Sequence, residues 1–182
     1  MTEAPAPIRR LATLDFEASD YPGERPTFPV EVAACRLDTQ ECRAWLIRPH
    51  ATWRDWAWNP SAERTHGLSR ERLEREGRPA GEVLDDLGAF LEGCVVISDS
   101  ESDQVWLAAL AEAAGRPAPF SLGTSQHQLK LRYGPPWPEV GDDLERAERH
   151  AADRVPERYR AEPDARRLML ELTFLAELNG WV

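Results

Sequence analysis

Residues 11–17 place two carboxylates two positions apart at the end of an apolar run (LATLDFE). The run predicts a β-strand, and side chains at i and i+2 of a strand point to the same face. Asp15 and Glu17 would therefore lie side by side, where their repulsion is costly unless a cation lies between them. Hard divalent cations such as Mg²⁺ and Mn²⁺ prefer carboxylate oxygens. The alternative for this pair alone is two solvated charges at the end of an edge strand.

The composition is that of one folded domain without a membrane span. The chain has 182 residues, of which 42% are hydrophobic, which suffices for a substantial core. We predict a flexible leader over residues 1–9 and a single domain over residues 10–182. No stretch approaches the ~18 apolar residues of a membrane span, and the N-terminus lacks the layout of a secretory signal. These features favour a cytoplasmic protein.

The three cysteines are Cys35, Cys42 and Cys94. They form no CxxC pair and leave an odd residue, so the pattern indicates neither a disulfide framework nor a zinc site. We therefore expect buried, reduced thiols.

The formal net charge of -10 restricts the possible partners. Capture of long nucleic acids normally relies on Lys and Arg side chains that neutralise phosphates, and this chain has an acidic excess. The charge favours a short or locally bound substrate. Acids gathered around bound cations would account for part of the excess.

The order of the predicted elements indicates an α/β fold. Three early strands are followed by helices, and a short buried strand then runs directly into another helix. The strands are predicted near 10–16, 30–37, 44–47, 94–97 and 118–122, and the helices near 59–63, 69–72, 79–92, 104–114, 141–153 and 164–180. Residues 38–41 would join the second and third strands into an antiparallel hairpin, and residues 132–141 read as a loop. This order predicts a mixed five-stranded sheet flanked by helices.

Two further carboxylates, Asp103 and Asp164, stand near the starts of predicted helices. Each alone is explained by the preference of acids for helix N-termini. Together with Asp15 and Glu17, however, they supply four carboxylates from three distant segments. That is the ligand set of a two-metal phosphodiesterase, whose ions lie ~3.5–4 Å apart.

Three segments resemble, in order, the motifs of the DEDD 3′–5′ exonucleases, which include ribonuclease T, oligoribonuclease and polymerase proofreading subunits. They are residues 14–19 (LDFEAS), residues 98–107 and residues 159–166 (YRAEPDAR). His66-Gly67-Leu68 resembles the His-Gly-Ile element of the same proteins. The resemblance spans roughly residues 10–180.

The resemblance implies a ribonuclease H-like fold and removal of nucleoside monophosphates from the 3′ end of single-stranded or short nucleic acids. It also implies two Mg²⁺ or Mn²⁺ ions, held by Asp15, Glu17, Asp103 and Asp164. Relatives often pair, so a homodimer is one option, and the sequence leaves the oligomeric state open. No base-reading motif distinguishes RNA from DNA.

The sequence departs from the family at the general base. In the histidine branch, a His five residues before the last Asp takes a proton from the attacking water, and this chain has Tyr159 there. The tyrosine branch places its Tyr four residues before, where this chain has Arg160. An unperturbed Tyr has a pKa of ~10 and a His ~6.5. Tyr159 would therefore orient the water but accept its proton poorly, and activity should rise toward alkaline pH.

Several other residues have two interpretations. His150, fourteen residues before Asp164, is a candidate substitute base but reads more simply as a surface residue. The tryptophans at 53, 56 and 58 could stack on bases, although packing of their loop onto the domain is the preferred interpretation. His66 is expected to be a packed histidine. Asp99 stands where the family often has Asn, and with Glu101 it is an extra acid close to the predicted site.

These observations predict an enzyme, a metal-dependent 3′–5′ exonuclease acting on a DNA or RNA end. The alternative is a nucleic-acid-binding or interaction protein that retains the exonuclease fold with impaired catalysis. The Tyr159 substitution favours the alternative, and the presence of all four carboxylates favours the enzyme.

Overall fold

A five-stranded mixed sheet lies at the centre of the structure, a computed structural model that describes residues 5–134 and 141–181. Its strands are β1 (Leu11–Ala18), β2 (Pro29–Arg36), β3 (Cys42–Leu46), β4 (Val95–Ser98) and β5 (Leu122–Thr124). Their order across the sheet is β3-β2-β1-β4-β5. The first three strands are antiparallel neighbours, whereas β4 runs parallel to β1 and β5 runs parallel to β4. The predicted α/β class and mixed sheet are confirmed.

Seven α-helices surround the sheet within the described ranges. They are α1 (Pro60–His66), α2 (Arg70–Glu76), α3 (Ala80–Phe90), α4 (Ser102–Ala113), α5 (Ser125–Tyr133), α6 (Gly141–Arg154) and α7 (Ala161–Asn179). Side chains cap the N-termini of α1 and α2: Asn59 Oδ1 accepts the Ser61 N–H at 2.8 Å, and Ser69 Oγ accepts the Arg72 N–H at 3.2 Å. No described helix is both long and apolar enough to cross a bilayer.

The predicted secondary structure differs from the structure around residues 118–133. The fifth strand begins at Leu122 and not at 118, and it is followed by helix α5, which was not predicted. The side chain of Thr124 caps α5 by accepting the His127 N–H at 3.2 Å. The predicted loop at 132–141 overlaps the ends of α5 and α6, and its residues 135–140 lie outside the described residues.

The two faces of the sheet bury different side chains of β1. Leu14 and Phe16 belong to a core cluster with residues of α3 and α4. Leu11, on the opposite face, packs against Leu168 and Leu172 of α7. Because strand side chains alternate, Asp15 and Glu17 share the face covered by α7.

The first turns of α7 lie close to the sheet because the contacting side chains are small. Ala161 and Ala165 pack on Ala33 and Cys35 of β2. The Thr13 hydroxyl of β1 also donates to the Ala165 carbonyl at 2.7 Å. This contact fixes the start of α7 against the two central strands.

The tryptophan segment packs onto the domain, as preferred from the sequence. Trp53 is 1% exposed, and its ring stacks on Phe28 with centroids 5.3 Å apart. Trp58 stacks on the same Phe28 ring and donates its indole N–H to Glu63 at 2.8 Å. These rings form part of the core on the α3–α4 face.

The prediction of reduced thiols is wrong for two of the three cysteines. Cys35 and Cys42 are joined by a disulfide, while Cys94 is free. The physical reason is strand register: the two residues stand directly opposite each other on β2 and β3. A search for CxxC spacing misses such a pair, because the hairpin and not the sequence separation brings the sulfurs together.

We expect the disulfide to be visible by alkylation under denaturing conditions. Protein prepared without reductant should take up one iodoacetamide group, at Cys94, and fully reduced protein should take up three. Intact-mass spectrometry measures the count, and Cys94→Ser should lower each count by one. Three alkylated thiols before reduction would contradict the pairing.

Candidate metal centre

All five predicted site residues line one cleft, which has a volume of about 270 Å³. The cleft lies beside the C-terminal half of β1, where the N-termini of α4 and α7 approach it. Asp15 and Glu17 come from β1, Asp103 from the first turn of α4, and Asp164 from the first turn of α7. Tyr159 lies just before α7. The fold therefore brings together residues separated by almost 150 positions.

The carboxylates form two groups that share Asp15. Oxygen atoms of Asp15, Glu17 and Asp164 lie within 4.8 Å of one another, and so do oxygen atoms of Asp15, Asp99 and Asp103. Carboxylates at such distances repel one another strongly in a partly buried cleft. The repulsion has to be offset by protons or by cations.

Asp103 is the most deeply buried of these acids. It is 1% exposed, and neither of its carboxylate oxygens accepts a hydrogen bond of normal geometry from the described residues. Burial, with a smaller contribution from the nearby charge of Asp99, raises the pKa of Asp103 to about 7. The Ser98 hydroxyl opposes this effect, but it donates to the Ser100 carbonyl at 2.7 Å. A buried carboxylate without a partner is costly unless a ligand supplies one.

The two acids of β1 are perturbed in the same direction. Burial raises the pKa of Asp15 well above its ordinary value, and the charges of Asp103, Glu17 and Asp164 add to this shift. Burial likewise raises the pKa of Glu17 to about 8, with Asp164 and Glu31 contributing. In the absence of cations, these groups hold protons well above the pH at which free carboxyls lose them.

The donor set fits hard divalent cations. Every predicted ligand atom is a carboxylate oxygen, which is the donor type that Mg²⁺ and Mn²⁺ prefer. The partnerless oxygens of Asp103 and the shared position of Asp15 between two carboxylate groups are compatible with bound divalent cations. Asp15, Glu17 and Asp164 would hold one cation, and Asp15 and Asp103 the other.

Asp164 is held by the segment that precedes α7. Its Oδ1 pairs with the Nε of Arg158 at 2.8 Å, and its Oδ2 accepts the backbone N–H of Tyr159 at 2.8 Å. Half of the Arg158 side chain is exposed, so its guanidinium can move away from Asp164 without disturbing the core. Arg158 therefore supplies positive charge beside Asp164 at the edge of the cleft.

Tyr159 reaches the cleft, but its contact with Asp164 is made by the backbone and not by the phenol. Its φ is +65°, a left-handed conformation that is unusual for a bulky residue and costs free energy. The hydrogen bond to Asp164 helps to hold this conformation. The side chain is 57% exposed and stands on the cleft wall, with the Arg158 guanidinium 5.8 Å from its ring.

The two histidines considered in the sequence analysis, His66 and His150, lie in different environments. His66 is 4% exposed, and its Nδ1 accepts the Leu68 N–H at 3.0 Å, as expected of a packed histidine. Burial lowers its pKa, which favours the neutral ring. His66 nevertheless lines the cleft, and its buried Nε2 has no hydrogen-bond partner within the described chain. His150 lies on α6, and the centroid of its ring is 4.5 Å from that of Phe174 on α7. It is not part of the cleft wall.

An ion pair that was not anticipated from the sequence fixes the start of α7. Glu31 of β2 is 3% exposed and stands opposite Glu17 in the strand register. Its carboxylate accepts from Arg160 Nε at 2.8 Å and from the backbone N–H of Ala161 at 3.1 Å. The residue at the α7 N-cap, Arg160, has no side-chain cap of its own, so Glu31 supplies the cap from the neighbouring strand. The sequence signal for this ion pair was the position of Glu31 within an otherwise apolar strand, which implies a buried partner of opposite charge.

We expect Arg160→Met to lower the free energy of unfolding by about 2–3 kcal/mol, because it leaves Glu31 buried with one remaining donor. Breaking a fully buried ion pair costs about 3–5 kcal/mol, and the 37% exposure of the Arg160 side chain reduces this cost. Urea denaturation measures the change. The control is Arg166→Met on the same helix, which breaks an exposed i,i+4 pair with Glu162 and should cost less than about 0.5 kcal/mol. Equal losses in the two variants would show that the Glu31 pair has no special role.

The fold and the cleft together define the structural class. The protein has a ribonuclease H-like fold with an acidic cleft beside its central strand, and its fold is similar to that of exonuclease I. Exonuclease I from Methylocaldum szegediense has a TM-score of 0.62 and 18% identity, covering 92% of this chain and 40% of that chain. Escherichia coli exonuclease I in complex with a dT13 oligonucleotide has a TM-score of 0.63 and 14% identity, covering 93% and 41%. Its zinc-bound complex with single-stranded DNA has a TM-score of 0.64 and 14% identity, covering 92% and 40%.

The chain spans about two fifths of the length of these exonucleases. No family model matches it, and no curated protein matches it. At such low identity the likeness shows the fold alone.

Proposed function

We propose that the protein is a metal-dependent 3′–5′ exonuclease that hydrolyses phosphodiester bonds at the 3′ end of single-stranded DNA or RNA. The observation that carries the proposal is the convergence of Asp15, Glu17, Asp103 and Asp164 from three separate elements on one cleft. Charges that repel one another have little structural use without cations. The likeness to exonuclease I, which has been solved with oligonucleotides, supports this proposal.

Two divalent cations, when bound, would offset the negative charge that develops at the scissile phosphate and favour loss of a proton from the attacking water. The chain's own residues have three tasks. The carboxylates hold the cations, and burial of Asp103 keeps water from competing for its oxygens. Glu31 and Arg160 keep Asp164 in place through the first turn of α7.

The walls of the cleft suit a nucleic-acid end. Tyr21 and Tyr159 line it with side chains that are 80% and 57% exposed. Exposed aromatic rings beside a charged centre can stack on bases, which contributes ~1–3 kcal/mol per base. Because the chain is acidic overall, binding would depend on these local contacts and on the cations, which favours a short single-stranded end.

The test is incubation of a 5′-labelled oligonucleotide, in DNA and RNA form, with Mg²⁺ or Mn²⁺. The proposal predicts a ladder of products shortened one nucleotide at a time from the 3′ end. Asp15→Asn should abolish the ladder, and Asp153→Asn on the surface of α6 should leave it unchanged. Retained binding without shortening in either metal would instead support the non-catalytic alternative, a binding protein with the exonuclease fold.

We expect Tyr159→His to raise the hydrolysis rate at about pH 7 by roughly 10-fold or more, since an imidazole accepts a proton there and a phenol does not. The wild-type rate should rise toward alkaline pH, and the variant should lose much of that dependence. Single-turnover rates from about pH 6 to 9 measure both effects. A slower Tyr159→His enzyme with unchanged Mn²⁺ affinity would show that the tyrosine itself is required.

A further inference from the structure

We propose that Asp99 is a fifth carboxylate ligand of this centre and binds the cation held between Asp15 and Asp103. The inference rests on the proposed function and extends its ligand set. Asp99 lies directly after β4 and shortly before α4, so the chain delivers it to the edge of the cleft. Oxygen atoms of Asp15, Asp99 and Asp103 lie within 4.8 Å of one another, which is the reach of a single bound cation.

Asp103 shows independently that a ligand belongs at this position. Its side chain is 1% exposed and both of its oxygens lack hydrogen-bond partners within the described residues. An acid in the first turn of a helix often accepts a backbone N–H of that helix, and Asp103 makes no such bond within α4. The backbone N–H of Phe16 on β1 opposes the rise of its pKa but does not form a hydrogen bond of normal geometry with it. Its oxygens instead lie close to those of Asp15 and Asp99. A cation is the partner that satisfies all three groups.

Asp99 also supplies what the other two acids lack. Asp15 is shared with the second cation, and Asp103 is enclosed by the protein. Asp99 is exposed, so it offers a carboxylate on the solvent side through which a hydrated cation can enter. Small divalent cations lose their water reluctantly and keep several waters when bound. A ligand at the open side of the site suits that behaviour.

The local charges balance when Asp99 is included. The centre then has five carboxylates and one guanidinium, that of Arg158, which pairs with Asp164 at 2.8 Å. Their net charge of −4 equals the charge that two divalent cations neutralise. Within this set of residues, Asp99 thus adds a negative charge that Arg158 offsets.

The experiment is a Mn²⁺ titration of the full chain by isothermal calorimetry, with free Mn²⁺ counted by electron paramagnetic resonance. Wild type should bind two cations. Asp99→Ala, which removes oxygen and charge, should weaken one of them by about 10- to 100-fold, and Asp99→Asn, which removes the charge only, should weaken it less. The control is Glu101→Gln, two residues away, exposed and outside the carboxylate groups, which should leave both affinities unchanged.

The outcomes separate this inference from the proposed function. Two sites of unchanged affinity in Asp99→Ala would overturn the role of Asp99 and leave the exonuclease proposal intact. Absence of Mn²⁺ uptake by the wild-type chain would overturn both. Equal weakening by Glu101→Gln would also overturn the inference, because it would indicate a general effect of charge and not a ligand.

Discussion

Asparagine in place of Asp103 is expected to stabilise the metal-free protein at about pH 8.5 while it abolishes hydrolysis. Burial raises the pKa of Asp103 to about 7, so its charged form costs free energy in the fold. The neutral amide avoids this cost, although it lacks hydrogen-bond partners in turn. A net gain of about 2 kcal/mol would raise the melting temperature by about 4–8 °C. Differential scanning calorimetry in EDTA measures the gain.

The same substitution should remove a cation ligand, and we expect nuclease activity to fall on the order of 10³-fold. Two controls sharpen the result. At about pH 5 the wild-type carboxyl is already protonated, so the gain in stability should largely disappear. Asp153→Asn, at an exposed position, should change neither quantity. A less stable Asp103→Asn protein at alkaline pH would indicate that the carboxylate has a structural partner and no need of a cation.

Divalent cations should stabilise the wild-type protein strongly, and more at alkaline than at neutral pH. The raised pKa values of Asp15, Glu17 and Asp103 mean that the folded state binds more protons than the unfolded chain. The free energy of unfolding therefore falls as pH rises from the ordinary carboxyl value near 4 through the folded values of about 7 and 8. Cations replace the protons, so Mn²⁺ at ~1,000 times its Kd should restore about 4 kcal/mol.

Urea denaturation in EDTA and in Mn²⁺, from about pH 6.5 to 9, tests this expectation. The effect of His66, whose pKa burial lowers, has the opposite sign and fades above the ordinary imidazole pKa of ~6.5, at the lower end of this range. Glu171, with a pKa raised by burial to about 7, adds to the loss in both conditions. A choline salt of equal ionic strength is the control for screening. Stability in EDTA that rises with pH over this range would contradict the assigned shifts.

The regular elements could be predicted wherever the local pattern agreed with the tertiary environment. The strand that carries Asp15 and Glu17 could be predicted because the two acids, two positions apart, lie in an apolar run. The hairpin of β2 and β3 could be predicted because a short polar link joins the two strands. Helix α5 was missed because its sequence, SQHQLKLRY, has few apolar residues in a helical pattern. The Thr at position 124 is a favourable N-cap residue, but a cap alone does not predict a helix without a helical pattern of apolar residues after it.

Two pairs of contacting residues, the Glu31–Arg160 ion pair and the Cys35–Cys42 disulfide, could not be predicted for a different reason. Glu31 contacts Arg160 across 129 positions, and Cys35 meets Cys42 through strand register. Neither pair follows from local spacing, because each depends on which strands become neighbours. The ordered set of acidic segments could be recognised, in contrast, since the order of elements in a fold constrains where each segment lies.

The small side chains beneath the start of α7 have a consequence for the geometry of the cleft. Ala161 and Ala165 allow the helix to approach Ala33 and Cys35 at close range, and Asp164 is carried by the same turn. The gap between the acids of the strand and the acid of the helix is thus set by the thickness of an apolar layer. A bulkier residue at position 165 would widen that gap without altering a single charge. The size of apolar side chains in this layer can therefore change the distance between the carboxylates, and with it the size of ion that fits.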